Sequence, residues 1–161
     1  MNIFYLDEDI DKCAQFHVDS HVVKQILEAA QLLSTAHRIL DTIYLSETLD
    51  KNLYKVSHQH HPSFKWVIQS RANYEFLYRL LEALLKEYTF RYYTKHATEA
   101  LLEFLKEPPM CIPDKGFTKF TQVVPDDCRD DNPVVAYRNY YKKYKTHLIA
   151  YKRRDYPEWL L

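Results

Sequence analysis

One stretch limits the fold of this chain more than any other: Ser20 to Leu40, SHVVKQILEAAQLLSTAHRIL. Read at helical period, His21, Lys24, Glu28, Gln31, Thr35 and Arg38 fall on one line, spaced by three and four residues. The rest of the cylinder is apolar. Val22, Ile26, Ala29, Leu33, Ala36 and Leu40 form one row, and Val23, Leu27 and Ala30 another. An ordinary surface helix carries an apolar stripe on a polar cylinder. This one inverts that pattern, so it is expected to lie centrally, packed on most sides. Its polar line then faces a cleft or is paired inside.

The remaining elements are expected to gather around that helix. The only glycine among 161 residues is Gly116. That scarcity excludes Gly-rich phosphate loops and barrels with many tight hairpins, and neither G-x-G-x-x-G nor a Walker sequence occurs. The Leu-, Ala-, Glu-, Lys- and Tyr-rich composition suits a mainly α protein. Met1–Leu6 reads as a short extended arm. The acids Asp7, Glu8, Asp9 and Asp11 favour the start of a short helix through about Phe16. Asp19 or Ser20 is the expected N-cap of the central helix. Residues 41–61 form a connection with a helical turn near Leu45–Tyr54, ending in His58-Gln59-His60-His61.

Pro62 suits the first position of a second long helix, whose apolar residues recur from Phe64 to Tyr88. A third is expected over Thr94–Lys106, before Pro108-Pro109. Residues 107–132 hold four of the seven prolines and the glycine, and read as a long loop wrapped over the surface. Asn132-Pro133 then opens a last helix running to Arg154. The whole, residues 1–161, is expected to be a single-domain helical bundle around the central helix, with no internal repeat.

Charge and cysteines bound the setting. Formal net charge is zero, so whole-molecule attraction to nucleic acid is not indicated. Yet Arg138 to Arg154 holds seven Lys or Arg and no acid. Cys13, Cys111 and Cys128 are odd in number and widely separated, which fits a reducing cytoplasm better than a disulfide framework. No run spans a bilayer, and Met1–Asp7 lacks the charge and length of a signal peptide. A cytoplasmic protein with no membrane partner is expected.

Three constellations carry chemistry. Lys24 and Glu28 stand one turn apart. Cleavage of an N-glycosidic bond with opening of the sugar uses an amine to form a Schiff base and a carboxylate to move protons. The amine must be neutral to attack, and a protonated His21 beside Lys24 would help to make it so. The plain alternative is a structural ion pair on a helix. His17 and His21, spaced i, i+4, with Glu28 seven beyond His21, form a second set. It has divalent-metal spacing if the helix is continuous through Val18, with a further ligand from His58, His60 or His61. The alternative there is hydrogen-bonded histidines and no metal. Finally, the last helix interleaves Tyr137, Tyr140, Tyr141, Tyr144 and Tyr151 with Arg138, Lys142, Lys145 and Lys152. A basic face with aromatic neighbours suits phosphates and unstacked bases, although tyrosines packed on the core explain most of the rings.

Two resemblances follow from these residues. HVVKQILEAAQLLSTAHR, HHPSFKWVIQSRANYEFL, the VVPDD loop and the AYRNYY helix resemble an uncharacterised family of small proteins encoded by large tailed phages. The similarity spans nearly the whole chain and implies a phage protein in the host cytoplasm. More distantly, the arm, the Glu-bearing helix and the aromatic, basic C-terminus resemble pyrimidine-dimer DNA glycosylases of the endonuclease V type. That resemblance implies Glu28 as acid/base, with His21, Lys24 and the Arg138–Arg154 line around DNA. Those enzymes use the α-amine of a threonine exposed by loss of the initiator Met. Here Asn2 follows Met1, and a side chain that large normally leaves the Met in place. Either Met1 itself or Lys24 then serves as the amine, or the chemistry is absent.

The leading expectation is therefore a nucleic-acid- or nucleotide-directed protein with DNA glycosylase/lyase chemistry and no cofactor. Glu28, Lys24 and His21 form the catalytic group, and Gln31, Arg38, His61, Arg138, Tyr141, Lys142 and Lys145 contact substrate. The rivals are a non-enzymatic accessory protein that sequesters a nucleotide or blocks a host protein, and a metal-dependent hydrolase built on His17, His21 and Glu28.

Overall fold

The computed structural model describes all 161 residues and contains seven α-helices and no strand. In chain order these are α1 (Ile10–Gln15), α2 (Asp19–Leu40), α3 (Glu47–Asn52), α4 (Pro62–Val67), α5 (Arg71–Tyr92), α6 (Leu102–Leu105) and α7 (Pro133–Tyr144). The two longest, α2 and α5, pack on each other at the centre. Helix α1 rests against α5, and α4 against α2. One apolar core runs from Ile3 to Tyr151, and no helix is long and apolar enough to cross a membrane.

The inverted pattern of α2 has the expected consequence. Val22, Ile26, Leu32, Leu33 and Ala36 are fully buried, each of the larger ones contributing ~1.5–3 kcal/mol of transfer free energy. One row departs from expectation, since Val23 and Leu27 are 40% exposed and flank Lys24 on the open strip of the helix. The helix also starts one residue early. Val18 is its N-cap, and the Asp19 carboxylate accepts from Arg91 Nη1 (2.8 Å) and the Lys152 amide (2.9 Å) instead of capping. Arg91 is wholly buried, held also by Glu87 Oε1 and by the carbonyls of Gln15 and His17.

The long helix expected from Pro62 is two helices. Gln69 and Ser70 break it, because the Ser70 side chain caps the Asn73 amide and starts α5 afresh. The break exposes the Trp66 carbonyl to Asn73 Nδ2 (2.8 Å), and Asn73 in turn grips Thr118 of the long loop. Thr94–Lys106 is a 3₁₀ turn at Ala97–Leu101 followed by α6. The last helix stops at Tyr144 rather than near Arg154. Beyond it the tail folds back, Arg154 onto Glu87 (2.9 and 3.0 Å) and the Tyr151 hydroxyl onto the Phe16 carbonyl (2.9 Å). Two acids, the half-buried Asp19 and the buried Glu87, thus outcompete helix continuation for this basic segment.

Candidate active site

The arm, Met1–Leu6, is extended and threaded into the core. Ile3, Phe4 and Leu6 are buried, and the Cys13 thiol bridges the arm between the Phe4 carbonyl and the Leu6 amide (3.4 Å each). Phe4 stacks on His21 with 4.4 Å between ring centroids. Asn2 fixes the arm's beginning. Its Nδ2 donates to the Val123 carbonyl (2.7 Å), and its Oδ1 accepts from the Tyr137 hydroxyl (2.8 Å). Tyr137 accepts in turn from the Val123 amide. Arg138 closes the far end, donating to the Leu6 carbonyl and Asp7 between the rings of Phe16 and Trp159.

So anchored, the arm delivers the Met1 α-amine to 4.0 Å from Glu28 Oε1. The Lys24 ammonium stands 3.6 Å from the same oxygen. Glu28 Oε2 accepts from Gln25 Nε2 (3.0 Å), which fixes the rotation of the carboxylate and leaves Oε1 to the amines. The Glu28 side chain is 10% exposed and that of Lys24 65%, so the carboxylate is recessed at the edge of an open strip. Two amines and a held carboxylate within 4.0 Å suit proton transfer at an attacking nitrogen.

His61 lies close enough to this corner to feel the charges of the Met1 amine and Glu28. The connection before α4 is pinned to α2 where Thr35 Oγ1 meets the Ser57 amide and carbonyl. Thr35 lies on the line of Glu28 and Gln31. The chain then turns at His58, whose left-handed φ of 54° is unusual for a non-glycine residue. His61 Nδ1 accepts from the Ser63 amide (3.0 Å) as N-cap of α4. Burial lowers the His61 pKa, the Met1 amine and His58 lower it further, and Glu28 opposes them.

Next to the anchor of Asn2 opens a groove of about 900 Å³ between Pro62, the extended run Lys119–Pro125, Arg129 to Asp131, and Tyr140. In this run the Thr121 carbonyl and both polar groups of Val123 turn inward to Tyr137 and Asn2. Lys145 Nζ lies 4.9 Å over the Tyr140 ring at the end of α7.

Other residues of the sequence reading fall elsewhere. His21 is buried, its Nδ1 2.7 Å from the Tyr141 hydroxyl. Burial, His17, Lys145 and Lys24 push its pKa down to about 3, so it is neutral at physiological pH. The expectation of a protonated His21 beside Lys24 is corrected by that burial. Tyr141 is itself fully buried and serves the core. Arg38 is spent on Asp50 and on the carbonyls of Asp50, Leu53 and Tyr54. Gln31 stays half-exposed on the strip, and Lys142 is exposed on α7. No three His, Cys, Asp or Glu side chains converge to hold an ion, and His17 is turned to the Cys13 carbonyl (2.7 Å). The sequence reading missed Gln25, though its i, i+3 relation to Glu28 is a readable signal, and the Asn2 anchor, for which no local signal exists.

Residues 1–100 match the family described as pyrimidine dimer DNA glycosylase, while no curated protein and no solved structure matches the chain. The matched residues include Met1, Lys24, Glu28 and His61, whereas the extended run and α7 lie beyond them.

Proposed function

The chain belongs to the pyrimidine dimer DNA glycosylase family, and from that membership we propose that it cleaves an N-glycosidic bond in DNA, with the Met1 α-amine as nucleophile and Glu28 as acid/base. The observation that carries this reading is the approach of the Met1 amine to 4.0 Å from a carboxylate that Gln25 holds in place. Lys24 is the other amine. Chain-terminal α-amines as a class keep a much larger neutral fraction at neutral pH than lysine amines do, and only the neutral form attacks. Lys24, largely in solvent, then acts as a cation for nearby phosphate.

In this scheme the amine lone pair attacks C1′, the C1′–N bond breaks, and its electron pair leaves with the base. Glu28 takes the proton shed by the nitrogen. It returns that proton to the ring oxygen O4′ as the sugar opens, leaving an iminium between Met1 and C1′. The departed base collects a proton from water. Lys142 and Lys145 line the approach to the DNA backbone.

The test is borohydride trapping on DNA carrying an abasic site, followed by mapping of the adduct. Attachment at Met1, retained in Lys24→Met and lost in Glu28→Gln, is the expected result. Attachment at Lys24 reverses the assignment of the amine. The absence of any adduct removes the enzymatic reading.

A further inference from the structure

Capping fixes more about His61 than its position. The Ser63 amide donates to His61 Nδ1, so the lone pair of that nitrogen is committed and the neutral ring carries its proton on Nε2. Protonation would put a second hydrogen on Nδ1, facing a donor, and cost the cap of α4. The lowered pKa agrees with this, and the Met1 amine and His58 add to it. His61 is thus a fixed-tautomer, uncharged N–H donor, unsuited to accept a proton, at the corner shared by Met1, Glu28 and α4. The next residue, Pro62, lines the 900 Å³ groove, and so does Val123, to which Asn2 of the arm is tied. The groove therefore runs beside the residue that follows His61 and beside Val123, which ties down Asn2 one residue from the Met1 amine.

We propose that the departing base occupies this groove and that His61 Nε2–H donates to its carbonyl oxygen as the glycosidic bond breaks. The inference rests on the glycosylase reading above. The electron pair released from C1′ spreads onto the ring nitrogen and the adjacent carbonyl oxygen of a pyrimidine. A preorganised neutral donor stabilises that growing charge without being consumed. Thr121, Gln122 and Arg129 add polar residues to the lining of the groove, the kind of edge that a flat heterocycle can match. His61 is needed while a base is leaving and has no task once the base is gone.

The chemistry separates these two stages. His61→Asn keeps an acceptor for the Ser63 amide through Oδ1 but has no counterpart of Nε2–H. Single-turnover strand scission is measured on a duplex with a cyclobutane pyrimidine dimer and on the same duplex with a preformed abasic site. His61→Asn is expected to slow scission at the dimer tenfold or more and to leave abasic-site scission and borohydride trapping within twofold of wild type. Wild-type speed at the dimer overturns the inference. An equal loss on both substrates overturns it as well, because that result assigns His61 to the shared amine chemistry or to the fold. Failure of the underlying reading looks different: wild-type protein then neither cuts the dimer nor forms an adduct at the abasic site.

Discussion

The Tyr137 hydroxyl, midway along α7, donates to Asn2 Oδ1 at 2.8 Å across 135 positions of sequence. With Val123 it makes Asn2 a fixed point, and the α-amine one residue earlier inherits that fixity. Rigid placement of a nucleophile is a large part of what an active site contributes to rate.

Asn2→Ala removes both side-chain anchors and leaves Tyr137 and Val123 with unmet polar groups inside. A loss of about 1–3 kcal/mol of stability is expected, read by urea denaturation. Trapping on abasic DNA should fall further than the folded fraction does, since the amine is no longer held at Glu28. Asn2→Ser is a companion variant. In both variants a small residue after the initiator permits Met1 removal, which intact mass reports, and the amine then recedes by about 3.8 Å, one residue of chain.

Glu28→Gln keeps the volume of the side chain and an acceptor for Gln25 but cannot take a proton. Single-turnover scission is expected to drop on the order of 100-fold or more. Thermal stability should change little, because the partners of Glu28 are a mostly exposed Lys24 and an amine at 4.0 Å. A variant that is both folded and fully active removes Glu28 from the chemistry.

How far the sequence discloses this arrangement differs from residue to residue. The stripe His21, Lys24, Glu28, Gln31, Thr35, Arg38 is a matter of period, and period is local, so α2 and its position at the centre can be read directly. Pro62 marks a helix start by the same local logic. Ser70 misleads, because the apolar period continues on both sides of it and only the loop gripped by Asn73 makes a break worthwhile. The end of α7 at Tyr144 is decided by Glu87 and Asp19, more than fifty residues away, which draw the basic tail onto α5 and the start of α2. Charges read as a ligand surface can equally be internal ties, as Arg38, Arg138 and Arg154 show. The role of His21 turned on burial, which a helical wheel does not report.

Arg91 offers the clearest stability test. It is wholly buried, with four acceptors supplied by Glu87, Asp19, Gln15 and His17, and it joins the α1–α2 junction to α5. Arg91→Met leaves Glu87 with only Arg154 and takes the guanidinium donor away from the Gln15 and His17 carbonyls. A loss of ~3–5 kcal/mol is expected by chemical denaturation. The double variant Arg91→Met, Glu87→Leu should recover part of it, since the stranded carboxylate is then gone.

The buried histidines set the acid limit of the fold. Burial, with Arg91 nearby, lowers the His17 pKa to about 4, and His21 is lowered to about 3. An unfolded histidine titrates near 6.5, so between there and 4 the unfolded chain binds protons that the folded chain refuses. Stability from these groups is complete above the unfolded value and is lost as pH falls through that window. The loss approaches 1.4 kcal/mol per pH unit per histidine, on the order of 3 kcal/mol for His17 by pH 4. Glu87 has a lowered pKa from its two arginines and adds its own loss only below the ordinary carboxylate range, so the first part of the decline belongs to the histidines. His17→Asn keeps a donor for the Cys13 carbonyl and cannot titrate. In unfolding midpoints measured from pH 7.5 to 4.5, wild type should decline steadily below pH 6.5, and the variant should show a shallower slope. Parallel slopes would mean that His17 is already charged in the folded protein, which its place beside the guanidinium of Arg91 and inside the core forbids.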